Sequence, residues 1–298
     1  METVLVTGGL GKVGQWLVDS LSQEGFKIVC IDLEHPGFSV EHVRSNVSFR
    51  RADLTKLGRV EDIFQSVDPD VVAHFAAIPT MGRTADAEVF ENNVMTTYNV
   101  LKSAGRCGAD IVQASSESTY GMAFAEETWL PEYLPVDESH PMRPEDEYAT
   151  SKLVSEELAK MVTRRHGVEA VSLRPAWINY PGTYACTSLQ DDLAKGANGF
   201  WTYLDIRDLV SLVHNAIETS ITGHEAVLAS AENTYLGMPT TKAIEEHFGT
   251  LPEECDLEGD QSIYTTEKAC ELFGWEPQHT WRKAADESVT GPEFINDQ

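Results

Sequence analysis

The sequence predicts an α/β protein built on a doubly wound parallel sheet, with a smaller, discontinuous lobe beside it. Apolar segments typical of strands alternate with amphipathic segments of helical period through roughly the first 175 residues, as a parallel sheet with right-handed crossovers requires. A glycine-rich turn joins the first strand to the first helix. The 298 residues, 42% of them hydrophobic, suffice for a sheet domain and a second core.

The first predicted element is a buried strand, residues 4–7, which runs into a glycine-rich turn and then an amphipathic helix. Gly8, Gly11 and Gly14 permit the tight turn, the close approach of a pyrophosphate and close helix packing. The amino terminus of the helix adds N–H donors and the positive end of a dipole. The residues predicted to bind a dinucleotide at this turn are Gly8, Gly11, Lys12, Val13 and Gly14.

The second predicted strand, residues 27–31, ends at Asp32. A carboxylate at this position accepts hydrogen bonds from both ribose hydroxyls of NAD and repels the 2′-phosphate of NADP. No arginine follows in residues 33–37 to compensate a 2′-phosphate. Asp32 is therefore predicted to select NAD.

Residues 147–166 are predicted to form a helix, because apolar residues recur there at helical spacing and Gly167 follows. Tyr148 and Lys152 stand four residues apart within it and project from one face. An ammonium group beside a phenol stabilises the phenolate and lowers a pKa that is ordinarily ~10. The pair is therefore a candidate base for hydride-transfer chemistry.

With the glycine turn, Asp32 and the Tyr148–Lys152 pair, the chain resembles an extended short-chain dehydrogenase/reductase of the NAD-dependent epimerase/dehydratase group over nearly its whole length. The resemblance implies a Rossmann-type fold, NAD as cofactor, a small-molecule sugar substrate and a homodimer formed through two helices per subunit. The implied boundaries are 1–174, returning at about 203–231, for the NAD-binding domain, and 175–202 with 232–298 for the substrate lobe.

Further motifs resemble cofactor contacts of that family. Asp53 follows the third strand, where the family's Asp contacts adenine, although a helix cap explains an Asp there equally well. Small residues after His74 let the backbone approach the cofactor, and His74 itself is more readily a core histidine. Asn93 inherits a supporting role, although a hydrogen bond inside its helix explains it nearly as well. The implied contacts are Asp53, Leu54, Phe75, Ala76, Ala77 and Asn93.

The fifth strand ends in Ser115 and Ser116, and the segment up to Gly121 resembles the family's Ser-Ser-x-x-x-Tyr-Gly. The resemblance assigns the catalytic hydroxyl to Ser116, which would hydrogen-bond the reacting oxygen and hold it near Tyr148. Lys152 would hold the nicotinamide ribose and stabilise the phenolate. The implied catalytic residues are Ser116, Tyr148 and Lys152.

The resemblance leaves several reactions in competition. Sugar-nucleotide dehydratases place an acid and then a base carboxylate after the hydroxyl residue, whereas Glu117 and Ser118 stand here, so elimination of water lacks its proton acceptor. UDP-sugar 4-epimerases anchor the nucleotide through an asparagine and an arginine, and the corresponding positions hold Trp177 and Trp201. The lobe segment between them is also short for gripping a nucleotide. An epimerase stays an alternative, and a dehydratase is disfavoured.

The preferred prediction is NAD-dependent oxidation of a free neutral aldose at C1 to the lactone, as in the uronate and aldose 1-dehydrogenases that the chain resembles. Trp177 and Trp201 would stack on a pyranose face, although buried tryptophan is at least as common in plain cores. Asn198 stands where the uronate enzymes carry an arginine for the substrate carboxylate, which favours a neutral sugar. Glu117 would bind a sugar hydroxyl or else be a solvated loop residue. The predicted substrate contacts are Ser116, Glu117, Tyr148, Trp177, Asn198 and Trp201.

A binding protein without chemistry must also be considered. Folds of this type can serve as non-catalytic NAD-binding regulators. Such proteins commonly lose the tyrosine or the lysine of the site, and this chain keeps both. An enzyme is therefore preferred over a regulator.

Composition argues against several classes of partner. With 48 acidic against 22 basic residues and a formal net charge of −26, nucleic acids and anionic membranes are poor partners. We hypothesise an enzyme of a high-salt cytoplasm, where salt screens the self-repulsion of such a surface. Ordinary acidic solubility is the alternative.

The cysteines and the amino terminus bear on location. Five widely spaced cysteines without a Cys-x-x-Cys motif suggest neither a disulfide framework nor a zinc site, so no metal is expected. The first strand begins within three residues of Met1, which argues against a signal peptide, and no apolar run is long enough to span a membrane. A reduced cytoplasmic location is the expectation.

Overall fold

The computed structural model describes residues 1–34, 44–284, 287–289 and 291–292. Its strands are β1 (Thr3–Thr7), β2 (Lys27–Asp32), β3 (Val47–Arg51), β4 (Val71–His74), β5 (Asp110–Ala114), β6 (Tyr133–Leu134), β7 (Ala170–Pro175), β8 (Ile178–Asn179), β9 (Leu204–Asp205), β10 (His224–Ala229) and β11 (Glu254–Cys255). Its helices are α1 (Lys12–Gln23), α2 (Leu57–Val67), α3 (Asp86–Cys107), α4 (Glu147–His166), α5 (Leu193–Gly196), α6 (Ile206–Glu218), α7 (Thr240–Phe248), α8 (Glu267–Phe273) and α9 (Trp281–Ala284).

Seven strands form one sheet in the order β10-β7-β5-β4-β1-β2-β3, and each neighbouring pair is parallel. The order reverses direction at β1, so β1 lies between β2 and β4 near the middle of the sheet. The predicted doubly wound parallel sheet is confirmed. Ligand sites in such folds lie at the carboxyl ends of the strands beside this switch point.

Helices cover both faces of the sheet, which explains the apolar runs at the centres of β1, β2 and β4. Val4 and Val6 of β1 pack in one cluster with α1 and α6, whereas Leu5 between them packs in another with α2, α3 and α4. Successive side chains of a strand point to opposite faces, so one apolar run supplies both cores. The predicted helix over residues 147–166 is confirmed as α4, which begins at Glu147 and ends at His166.

A third apolar cluster forms a smaller core built around Phe200, Trp201, Tyr203 and Tyr235. Two short two-stranded sheets, β6 with β11 and β8 with β9, accompany it. Residues 120–136 also contribute to this cluster, although they lie within the range predicted for the larger domain. The chain after β5 therefore packs in the smaller core before it returns to α4.

Within the described ranges, none of the helices combines the length and the apolar character needed to cross a bilayer. In the same part of the chain, no group of three or more His, Cys, Asp and Glu side chains is placed to hold a metal ion. All five cysteines are free thiols.

Candidate active site

The glycine turn fits tightly between the ends of β1 and β4. Gly8 has a φ of +70°, and a Cβ there would lie 2.8 Å from the Cα of Ala76. A Cβ on Gly14 would lie 2.1 Å from the carbonyl oxygen of Gly8. Both positions therefore exclude any side chain. The turn leads to Gly11, which precedes the first residue of α1.

The first amides of α1 have no partner within the helix, because an α-helix leaves its first N–H groups free. Lys12 and Val13 begin this first turn, and Gly14 follows them. The ammonium of Lys12 lies 5.8 Å from the ring centre of Tyr180, beyond β8. The helix end therefore presents N–H donors and a lysine at the carboxyl edge of the sheet, a suitable place for an anion.

Asp32 organises the same turn from the end of β2. Its Oδ2 accepts a hydrogen bond from the Leu10 amide at 3.0 Å, and its Oδ1 accepts one from the Leu33 amide at 2.7 Å. The carboxylate is thus held at the sheet edge beside the glycines. His35, Pro36 and Gly37, which bear on the NADP prediction, lie outside the described residues.

Asp53 and Leu54 follow β3 at the same edge. The Oδ1 of Asp53 accepts hydrogen bonds from the amide of Thr55 at 2.9 Å and from its hydroxyl at 2.6 Å, so the carboxylate closes a local turn. Leu54 is buried, and its carbonyl accepts a hydrogen bond from Asn99 at 2.9 Å. Sequence reasoning missed Asn99, whose partner lies 45 residues away along the chain.

The exit of β4 is fixed by hydrogen bonds to β1. Phe75, Ala76 and Ala77 are half-buried there, and the Ala76 amide donates to the hydroxyl of Thr7 at 3.3 Å. His74 is buried between Thr7 at 2.7 Å and Thr97 at 3.1 Å. Burial, with a smaller contribution from Lys152, lowers the pKa of His74 to about 3, so the imidazole is neutral. His74 is therefore a core histidine.

Asn93 connects the exit of β4 to α4. Its Oδ1 accepts the Ile78 amide at 2.8 Å, and its Nδ2 donates to the Ile78 carbonyl at 3.1 Å and to Ser151 at 3.3 Å. Ser151 in turn donates to the carbonyl of Tyr148 at 2.7 Å. Within its own helix, the Oδ1 of Asn93 also accepts a hydrogen bond from the Asn92 side chain at 3.1 Å. Asn93 therefore makes a bond inside the helix and also holds the backbone that carries Tyr148.

The predicted catalytic side chains come together where β5 and α4 meet. Asp146 caps α4 through the Ala149 amide at 2.8 Å, which sets Tyr148 in the first turn. The Lys152 ammonium lies 5.7 Å from the ring centre of Tyr148 and donates to the Ala114 carbonyl at 2.8 Å. Ser116 follows two residues after Ala114, and its side chain interacts with Tyr148.

The hydroxyl of Ser116 has a defined direction. Its Oγ accepts hydrogen bonds from the Ser118 amide at 3.1 Å and the Ser118 hydroxyl at 2.9 Å. With its lone pairs engaged, Ser116 keeps its own proton for donation to another oxygen. Sequence reasoning noted Ser118 only as a missing carboxylate, whereas the structure gives it this orienting contact.

Burial governs the ionisation of the pair. Burial lowers the pKa of Lys152 to about 8. Burial raises the pKa of Tyr148 above its ordinary value, Glu117 and Asp146 add to this rise, and the hydrogen bond with Ser116 opposes it. The sequence predicts the opposite direction for Tyr148. The difference arises because the phenol is desolvated and faces carboxyl groups that are invisible in the four-residue spacing.

The residues predicted to contact substrate have different environments. Trp177 is 42% exposed and lies edge-on to Tyr235. The Asn198 side chain donates to the carbonyl of Ala125 at 3.1 Å, which brings it to the loop after Ser116. Phe124 in that loop, missed from the sequence, lies edge-on to Tyr148 with ring centres 6.0 Å apart.

Trp201 corrects one prediction. It is fully buried in the smaller core, and its indole N–H donates to the Leu193 carbonyl at 3.0 Å. A ring enclosed in this way has no face open to a sugar. Trp201 therefore stabilises the smaller lobe, in agreement with the core alternative that the sequence also allowed.

A buried ion pair lies directly behind the site. The guanidinium of Arg174 on β7 donates to Glu156 on α4 at 2.9 and 2.8 Å and to the Tyr120 hydroxyl at 2.8 Å. Glu156 also accepts from Ser115 at 2.6 Å. Although burial opposes it, the bonds and charge of Arg174 hold the pKa of Glu156 below its usual value. Sequence reasoning missed this pair, whose partners lie 18 residues apart in the chain.

The comparisons with known proteins agree with this geometry. The model of the NAD dependent epimerase/dehydratase family matches residues 4–185. The chain belongs to this family. It is therefore an NAD-dependent enzyme of the short-chain dehydrogenase/reductase type, and solved structures of the same fold hold NAD.

Curated relatives similar to this chain carry the name UDP-glucose 4-epimerase. A UDP-glucose 4-epimerase of Rhizobium leguminosarum bv. trifolii is 25% identical over 93% of each chain. A protein of Methanocaldococcus jannaschii, provisionally named UDP-glucose 4-epimerase, is 33% identical over 57% of this chain, which spans about half (54%) of that relative.

Solved structures of the same fold carry a wider range of names. A UDP-galactose 4-epimerase superposes with a TM-score of 0.68 at 25% identity, over 98% of each chain. A glucuronic acid dehydrogenase of Chromohalobacter salexigens superposes with a TM-score of 0.67 at 19% identity, over 97% of this chain and 90% of that one. The fold is common to enzymes named as epimerases and as dehydrogenases, so it does not choose between them.

Proposed function

We propose that this protein oxidises C1 of a free, neutral aldose to the lactone with NAD as the hydride acceptor. The observation that carries the proposal is that four basic side chains in or beside the smaller lobe are paired with carboxylates. The ion pairs are Arg207 with Asp205 and Glu287, Arg282 with Asp260, Lys268 with Glu225, and Lys195 with Asp192. The diphosphate of a nucleotide sugar would have to compete with these carboxylates for the arginine and lysine side chains. A neutral sugar needs no cationic partner.

Trp177 also supports a free sugar. In the nucleotide-sugar epimerases that the chain resembles, this position holds an asparagine. The Trp177 side chain is 42% exposed. An exposed indole offers an apolar face to a pyranose ring and a polar edge to its hydroxyls. Asn198, at the position of the carboxylate-binding arginine of the uronate enzymes, favours a neutral sugar over a uronate.

The residues at the carboxyl edge of the sheet fit NAD. A Cβ at Gly8 or Gly14 would collide with backbone, so the turn is built to bring its backbone close to a ligand. We assign the pyrophosphate to the amides of residues 11–14, the adenosine ribose to Asp32 and the adenine to residues 53–54. Residues 75–77 would flank the cofactor, and Asn93 would act through the backbone it holds. When bound, NAD supplies the acceptor for the hydride.

The side chains of the chain itself would handle the proton. Tyr148 removes the proton of the anomeric hydroxyl while the C1–H hydride leaves, so that the C1–O bond becomes the lactone carbonyl. Ser116 donates its hydroxyl hydrogen to the reacting oxygen and holds that oxygen beside Tyr148. Lys152, anchored on the Ala114 carbonyl, stabilises the phenolate that must form. The products are lactone, NADH and one proton.

A substrate panel tests the proposal. Neutral aldoses, uronates, sugar phosphates and UDP-sugars are supplied with NAD or NADP in molar KCl, and NADH or NADPH is followed by absorbance. We expect steady NADH formation from at least one neutral aldose. Activity confined to uronates, sugar phosphates or UDP-sugars would contradict the proposal.

A UDP-sugar 4-epimerase is the second candidate, because the full-length relative from Rhizobium carries that name. An epimerase returns the hydride to its substrate, so UDP-galactose would be consumed without net NADH. The same panel, with sugar products analysed by chromatography, separates the two activities. Binding of NAD without turnover of any compound would instead indicate a regulator.

The assembly and the setting of the enzyme are further proposals. Met95 on α3 is 40% exposed, and α3 packs along α4, so these two helices offer a face for a homodimer. Sedimentation equilibrium in molar KCl should give twice the monomer mass, and Met95→Glu should give monomers.

The high-salt hypothesis predicts a midpoint of thermal unfolding that rises with KCl concentration, because salt screens the repulsion that accompanies the net charge of −26. A midpoint independent of salt would refute that hypothesis.

A further inference from the structure

Glu117 carries a buried carboxyl oxygen that the protein does not satisfy. The residue begins a 3₁₀ turn, Glu117–Tyr120, immediately after Ser116. Its Oε2 is buried and has no hydrogen-bond partner among the described residues. An isolated buried carboxylate is costly, and buried polar atoms of this kind are rare in native proteins. A partner from outside the chain would remove this cost.

The neighbours of Glu117 make its charge unfavourable. Asp146 and Tyr148 face it from α4, and Tyr264 faces it from the smaller lobe. Burial first, and the charge of Asp146 second, raise the pKa of Glu117 to about 8. A raised pKa means that the carboxyl is protonated below pH 8 and ionises above it. At neutral pH the group therefore has one O–H donor as well as acceptor oxygens.

We propose that Glu117 is a specificity-determining residue which binds, as a neutral carboxylic acid, the substrate hydroxyl on the carbon next to the oxidised carbon. Ser116 and Tyr148 hold the reacting oxygen, and Glu117 follows Ser116 directly in the chain. The adjacent hydroxyl is the sugar hydroxyl closest to the reacting oxygen. The choice of carbon rests on the proposed function, so for oxidation at C1 the hydroxyl is that on C2. The neutral state of the carboxyl does not depend on that function.

The position of Glu117 has a second consequence for the reaction. A charge on Glu117 raises the pKa of Tyr148, because two negative groups would then face one another in a buried site. Ionisation above pH 8 would thus remove a hydrogen-bond donor and oppose the phenolate at the same time. Burial also lowers the pKa of Lys152 to about 8, so its ammonium loses its charge over the same range. We expect kcat/KM to fall above pH 8 through both groups.

Infrared difference titration tests the neutral carboxyl without any substrate. Spectra are recorded from pH 5 to 10 for the wild-type protein and for Glu117→Gln. The wild type should show a protonated-carboxyl band that disappears with a midpoint near pH 8, and the variant should lack it. Glu127→Gln, which alters an exposed glutamate ten residues away, is the matched control and should retain the band. Absence of a band titrating near pH 8 in the wild type would overturn the proposal.

Kinetics test the specificity role on whichever aldose the enzyme oxidises. For the wild type, the 2-deoxy analogue should have a kcat/KM ~10²-fold below that of the parent sugar, because a buried group loses its partner. Glu117→Ala should lower kcat/KM for the parent sugar to the level of the analogue. Glu117→Gln should keep most of the activity and show only the part of the decline above pH 8 that comes from Lys152. If the ratio of kcat/KM for the parent sugar to kcat/KM for the 2-deoxy analogue is the same in Glu117→Ala as in the wild type, the specificity role of Glu117 is refuted. If no aldose is oxidised, the function fails while the infrared result still stands for or against the neutral carboxyl.

Discussion

Replacing Arg174 by Met should destabilise the protein far more than the loss of an exposed ion pair would. The side chain is 3% exposed and that of Glu156 is 0% exposed, so neither charge can turn to water. Arg174→Met removes the two bonds to Glu156 and leaves that carboxylate buried and uncompensated. Loss of one partner of a buried pair costs ~3–5 kcal/mol. At roughly 2 °C per kcal/mol for a chain of this size, Tm should fall by ~6–10 °C.

A second substitution separates the uncompensated charge from lost packing. The double variant Arg174→Met with Glu156→Leu carries neither charge of the pair. Ser115 and Tyr120 each lose one hydrogen bond, and each loss costs ~1 kcal/mol of stability. The double variant should therefore be more stable than Arg174→Met alone. Urea unfolding and thermal melts in molar KCl measure both free energies.

An exposed ion pair provides the control. Arg282 pairs with Asp260 with side chains 42% and 38% exposed, so Arg282→Met should cost less than ~1 kcal/mol. A double variant no more stable than Arg174→Met would refute the argument that the uncompensated Glu156 charge causes the loss. An Arg174→Met protein as stable as Arg282→Met would refute the burial argument itself.

Other predictions concern the site directly. Tyr148→Phe removes only the phenol oxygen, so kcat should fall ~10²–10⁴-fold while the Kd for NADH stays the same; near-normal turnover would remove the catalytic assignment. Gly14→Ala places a Cβ 2.1 Å from the Gly8 carbonyl oxygen, so fluorescence titration should show NADH binding at least ~10-fold weaker. An unchanged Kd for NADH would contradict the role of the glycine turn in binding the cofactor. Trp177→Ala should raise KM with little change in Tm, whereas Trp201→Ala should lower stability by ~3–5 kcal/mol in urea. The reverse pattern would place Trp201 at the substrate.

Local patterns predicted the elements that carry the site. The glycine turn, the strand ending at Asp32 and the helix from Glu147 to His166 all depend on residues close together in the chain, whose spacing records backbone geometry directly. The alternation of strands and helices likewise predicted the parallel sheet. The position of Tyr148 relative to Lys152 followed from the helical repeat alone.

The environments of those residues were decided by contacts between distant parts of the chain. Glu156 meets Arg174 across 18 residues, Asn93 meets Ser151 across 58, and Trp201 is enclosed by a core assembled from several segments. The direction of the Tyr148 pKa belongs here too, because burial and the charge of Glu117 outweigh the hydrogen bond with Ser116. Ionisation depends on solvent access and on charges in space, which sequence spacing does not record.

The sequence by itself therefore determined which groups are available: a glycine-rich turn, a carboxylate at the second strand, and a serine, a tyrosine and a lysine that we propose carry out the proton and hydride chemistry. Only the tertiary structure decided their state. It left one oxygen of Glu117 without a partner, removed Trp201 from the substrate side and left Trp177 exposed. Residue type sets what a side chain can do, but burial and neighbouring charges set its protonation and its access to a ligand.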